Sequence, residues 1–143
     1  MSHVGHRSQR WLSLFFAASA CSWVPHWSCH YYRLETGSSF AVGAWDLSPL
    51  DSAVALFAYG LLIGLNAGAV AAPRLRLAAA GASGILHVGL GGLHAYRLVA
   101  PFRFEVLGYP WSQQASLREA LVVTTFGALC LWVAGRLRTV SQE

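Results

Sequence analysis

Lysine is absent from this 143-residue chain, and acids are scarce: the ten basic residues are all Arg, against six Asp and Glu, giving a net charge of +4. An Arg guanidinium cannot be neutralised by deprotonation in a protein, so every positive charge must be placed where water or a partner can hold it. Charged residues make up only 11% of the chain, where a soluble domain carries about a quarter. With 55% hydrophobic residues, the chain is also too apolar to be a disordered tail. Its three cysteines are too few for a disulfide scaffold. No Gly-rich phosphate loop, His-Glu-x-x-His element or Gly-x-Ser-x-Gly elbow occurs, so hydrolytic and phosphate chemistry lack a motif. What is left is an integral membrane protein with no expected nucleic-acid partner.

Four stretches free of charge support that class: Trp11 to Tyr32, Ser52 to Pro73, Leu77 to Tyr96 and Ala120 to Gly135. A bilayer core about 30 Å thick takes roughly 20 helical residues. The expected fold is therefore an all-α membrane protein of four transmembrane helices, an up-down-up-down bundle with spans at 11–32, 52–73, 77–97 and 118–136. The N-terminus, the Arg74–Arg76 link and the C-terminus hold six Arg and one acid, while the two longer links hold four Arg and five acids. The positive-inside rule then puts both termini in the cytoplasm, as in a bacterial inner membrane. Trp11 and Trp132 fall at the inner interface, and Trp23, Trp27, Trp45 and Trp111 at the outer, as an aromatic belt would. Ala18-Ser19-Ala20-Cys21 resembles a loose lipoprotein-type cleavage site, but apolar character continues through Val24, so the first span is expected to be retained.

The chain also carries an internal duplication. His30-Tyr31-Tyr32-Arg33-Leu34 recurs as His94-Ala95-Tyr96-Arg97-Leu98, and at the same offset of 64, Phe40 and Val42 fall on Phe104 and Val106. A looser correspondence sets Gly43 and Trp45 against Gly108 and Trp111, Ser48 and Asp51 against Ser116 and Glu119, and Arg74-Leu75-Arg76 against Arg136-Leu137-Arg138. The organisation that follows is a cytoplasmic segment 1–10, a first hairpin repeat 11–76, a second 77–138 and a tail 139–143, with the hairpins as parallel repeats about a pseudo-twofold axis. Phe102, Phe104 and Val106 alternate with Arg103 and Glu105, which predicts that the outer loops pair as short strands.

Chemistry concentrates in histidines within or beside the spans, where an ionisable group is a functional hypothesis by default. Three readings compete. In one, His30 and His94 ligate a b-type haem, or hold a quinone, with Arg33 and Arg97 near its acidic or polar groups, Tyr32 and Tyr96 beside it, and the Gly-lined His87 face of span 3 leaving room for a flat cofactor. In another, His26, Cys29 and His30, at i, i+3 and i+4, bind copper or zinc. In the third, each His bonds across the bundle to a polar residue such as Asn66, Ser83, Thr124 or Thr125. The His-x-Tyr-Arg motif is then an interfacial anchor whose Arg pairs with Glu35, Glu105 or Glu119. Gly60, Gly64 and Gly68 on span 2 form a small-residue stripe suited to close helix packing. The expected function is a non-catalytic subunit of a membrane complex, with other membrane subunits as partners, and a transporter as a further alternative.

Overall fold

The computed structural model describes residues 3–140, with side chains from 9 to 139. Four helices account for most of the chain: α1 (His3–Thr36), α2 (Pro49–Ala71), α3 (Arg76–Val99) and α4 (Gln113–Val140). Three segments are long and apolar enough to cross a membrane, Pro49–Ala71, Pro73–Val99 and Gln113–Thr139. The longest helix, α1, is the most polar of the four and does not reach the same apolarity.

The helices form two antiparallel hairpins. In the first, Arg33 near the end of α1 reaches the start of α2, while Ser13 near its beginning donates to the Val70 carbonyl at the end of α2. The second pairs α3 closely with α4. Gly84, Gly91 and Gly127 make that approach feasible: a Cβ on Gly127 would sit 2.8 Å from the Val88 nitrogen, one on Gly84 2.7 Å from Leu131 Cγ, and one on Gly91 would overlap Thr124. Gly84 and Gly91 are thus covered by α4, leaving no room at those positions for a flat cofactor, while a Cβ on Gly81, Gly89 or Gly92 would meet nothing within 4 Å. On α2 a Cβ on Gly68 would crowd Leu75 (3.0 Å) and one on Gly60 would make ordinary contact with Trp27 (3.6 Å), whereas one on Gly64 would meet nothing within 4 Å.

Between the hairpins the chain turns through a 3-10 segment, Pro73–Leu75, with Pro at its first position, where a missing N–H costs nothing. Just beyond it, Arg76 is buried and ties three elements together. Its Nε donates to the Ala69 carbonyl (3.1 Å) and its Nη1 to Gln9 Oε1 (2.5 Å). A cation on the last carbonyls of α2 satisfies acceptors that the helix itself leaves open. A core cluster at the end of the helices away from the loops that join each pair, Phe16, Ala69, Ala79, Ala80 and Val133, draws on all four helices.

The outer loops pair as strands β1 (Phe40–Val42), β2 (Trp45–Asp46), β3 (Phe104–Val106) and β4 (Tyr109–Pro110), in the order β2-β1-β3-β4. All neighbours are antiparallel, with Phe40 opposite Val106, Ala41 opposite Glu105 and Val42 opposite Phe104 in the central pair. The sheet caps one end of the helices. Ser48 opens α2 with a capping box, its side chain accepting from Asp51 N–H while the Asp51 carboxylate accepts from Ser48 N–H (2.6 Å). Ser112 serves α4 likewise, accepting from the Ala115 N–H (3.0 Å).

Candidate functional site: the duplicated His-Arg motif and the buried His87 cluster

Each half of the cap is built around one buried arginine. Arg33 donates through Nη1 to the Ser48 carbonyl (2.9 Å) and Ser52 Oγ (2.5 Å), and through Nη2 to the Leu47 carbonyl. Arg97 donates through Nη1 to the Ser112 carbonyl (3.1 Å) and Ser116 Oγ (2.6 Å), through Nη2 to the Trp111 carbonyl (2.5 Å), and through Nε to the Phe102 carbonyl (3.1 Å). The acceptors Leu47, Ser48 and Ser52 are related to Trp111, Ser112 and Ser116 by the same offset of 64 that relates the two arginines. The looser alignment that set Trp45 against Trp111 and Ser48 against Ser116 is corrected accordingly.

Neither arginine pairs with a carboxylate. Among the described residues the ion pairs are those of Arg103, with Asp46 at 2.9 Å and Glu105 at 3.2 Å. The expectation that Arg33 and Arg97 neutralise Glu35, Glu105 or Glu119 therefore fails. Backbone carbonyls and hydroxyls of the cap take that role, and the planar fork of a guanidinium suits two adjacent carbonyls.

The histidines one turn before each arginine share the same serines. His30 Nδ1 lies 3.1 Å from Ser52 Oγ, and His94 Nδ1 3.3 Å from Ser116 Oγ. Each serine hydroxyl accepts from its arginine and is placed to give its own proton to the imidazole. His30 stacks on Phe40 at 5.1 Å between centroids, and His94 lies tilted against Phe104 at 5.2 Å. Tyr32 and Tyr96 are exposed, outside this chain of bonds.

His26 packs against Trp23 and Tyr59, at 5.7 and 5.5 Å. Cys29 is half-buried. Among the described residues no three His, Cys, Asp or Glu side chains come together as a metal site requires, so His26, Cys29 and His30 do not converge. Helical spacing places them on one side of α1, but His30 turns to Ser52 and His26 to the aromatic interior.

A second cluster lies deeper, where the hairpins meet. His87 is 2% exposed, its Nδ1 donating to the Ser83 carbonyl (2.8 Å) and its Nε2 facing Ser22 Oγ (3.3 Å). Trp23 lies tilted against the ring at 3.9 Å, and Phe126 meets it edge-on at 5.0 Å. Trp23 Nε1 and Asn66 Nδ2 both donate to Ser83 Oγ, at 3.2 and 2.8 Å. Trp23 is thus fully buried and is not part of the aromatic belt assigned to it, because its indole N–H finds an acceptor in the core. Ser22 and Trp23 of α1, Asn66 of α2, and Ser83 and His87 of α3 meet here.

Two features of these sites escaped the sequence reading. Ser52 and Ser116 orient the histidines, and the constant offset would have found them. Glu119 was placed at a span end, yet it lies close enough to act electrostatically on both His26 and His94. Outside the helices, Glu105 is held below the ordinary carboxylate range by the hydrogen bond from Ser39 and then by Arg103. Compared with known protein families, characterised proteins and solved structures, the chain matches none.

Proposed function

We propose that this chain is a small integral membrane protein with a non-catalytic, architectural role in a membrane complex. It crosses a bacterial inner membrane four times as an up-down-up-down bundle, with α1 as the fourth span and both termini in the cytoplasm. The observation that carries the architectural role is the use of polar atoms: Arg33 with His30 and Arg97 with His94 are engaged in holding the protein's own cap. The packing of His87 against Trp23 and Phe126 weighs against a central transport path. Large apolar side chains such as Leu50, Val54, Phe57 and Leu61 stand outward along α2, where lipid and neighbouring subunits would cover them.

A redox reading keeps one specific support, the equivalent placement of His30 and His94 on repeat-related helices, each beside a serine hydroxyl of its own hairpin. The deciding experiment is an absorption spectrum and quinone extraction of protein purified in mild detergent. The architectural role predicts no Soret band and no stoichiometric quinone, with His30→Ala and His94→Ala lowering stability only. A Soret band lost in either variant, or one quinone per chain, would overturn it.

A further inference from the structure

A groove of about 660 Å³ opens at the inner ends of α3 and α4. Its floor is apolar, with small residues Ala78, Gly81 and Ala82 between Leu77, Ile85 and Leu131. At its mouth stand Arg74 and Arg138, both exposed, and no acidic residue lines it. Neither arginine takes part in an ion pair among the described residues, in contrast to Arg103. From Arg74 to Ile85 the helix rises about 16 Å, close to the ~15 Å depth of one bilayer leaflet.

We infer that this groove binds an anionic phospholipid of the inner leaflet, its phosphate on Arg74 and Arg138 and one acyl chain along the small-residue floor. The inference rests on the membrane placement proposed above. Charge selects the occupant. A second copy of this chain would cover the apolar floor but would bring six Arg and a single acid, Glu143, to that side, whereas an anionic lipid supplies both an acyl chain and a negative headgroup. Arginine hydrogen-bonds phosphate with two parallel donors, and basic pockets between spans on the cytoplasmic side suit such headgroups. Gly81 is what keeps the floor open, since a Cβ built there meets nothing within 4 Å.

The test uses the full chain in detergent, exchanged against an equimolar mixture of phosphatidylglycerol and phosphatidylcholine, with retained lipid counted by native mass spectrometry. Two guanidiniums beside a headgroup of net negative charge, as against the zwitterionic headgroup of phosphatidylcholine, correspond to a preference for phosphatidylglycerol of about tenfold. Arg74→Gln with Arg138→Gln should bring the ratio to parity, Gly81→Leu should lower retention of both lipids, and Arg136→Gln should change neither. Glycerol phosphate, which lacks the chains, should not compete. Parity in the unaltered protein, an unchanged ratio in the double variant, or displacement by glycerol phosphate would overturn the inference. A Gly81→Leu protein that keeps its lipids but loses a dimer would do so as well, by assigning the groove to a second copy. Carbonate extraction of native membranes separates the two levels: release of the protein defeats the membrane placement, while retention without lipid preference defeats the groove alone.

Discussion

Ala41 and Glu105 face each other at the centre of the cap, and they are the same position of the two repeats. The flanking pairs, Phe40 with Val106 and Val42 with Phe104, exchange into one another when each residue is replaced by its partner 64 positions away. The pseudo-twofold axis therefore passes between Ala41 and Glu105. Glu105 accepts from Ser39 and pairs with Arg103, and those two residues are also equivalents. One carboxylate on the axis thus gathers both halves of the cap.

That position makes the cap sensitive to acid. Folding lowers the affinity of Glu105 for its proton, so its contribution is present above the carboxyl's unfolded pKa and is lost as the pH falls through the lower folded value. The protection of the β1 and β3 amides, measured against the intrinsic exchange rate at each pH, should fall on acidification across that window, and Glu105→Gln should flatten the dependence. A cap whose exchange follows only the intrinsic chemical rate in both proteins would contradict this.

Arg97 should dominate the stability of the second hairpin's outer end. Arg97→Ala leaves the Phe102, Trp111 and Ser112 carbonyls without their donor, at an expected cost of about 3 kcal/mol in thermal or denaturant unfolding in micelles. Arg97→Lys should recover less than half, because an ammonium is not a planar fork.

Two glycines of similar sequence context should behave oppositely. Gly127→Ala would press a methyl group into Val88 and His87, costing about 2 kcal/mol. Gly64→Ala meets open space and should be neutral or stabilising by up to about 1 kcal/mol. Equal effects on the melting temperature would refute the packing described for α3 and α4.

Sidedness can be read by cysteine labelling in a background without Cys21, Cys29 and Cys130. Ala44→Cys, in the exposed turn between β1 and β2, should react with an impermeant maleimide added to intact spheroplasts. Thr139→Cys should react only after permeabilisation. The reverse pattern would invert the proposed orientation.

Much of the helical layout was legible because charge is costly in lipid and the few Arg mark where apolar runs stop. The same signal misjudged the helix ends: α4 begins at Gln113, well before the apolar run at Ala120, since Arg118 and Glu119 interrupt hydropathy without interrupting the helix. The repeat was visible up to Val42 and then lost. Beyond that point Arg33 and Arg97 bind backbone carbonyls, so Leu47 and Trp111 need share nothing but position. Tertiary burial was equally hidden, since nothing in the sequence around Trp23 announces that Ser83, sixty residues away, will accept its N–H.

The palindromic register of β1 and β3 bears on how such a chain could arise. A strand that pairs antiparallel about its own midpoint can pair with an identical copy, so one hairpin alone would hold the means to dimerise. Gene duplication and fusion then release each copy from the constraint of matching itself. A carboxylate at both central positions would have set two negative charges side by side, whereas in the fused chain Glu105 stands opposite the methyl group of Ala41 and can serve both halves alone.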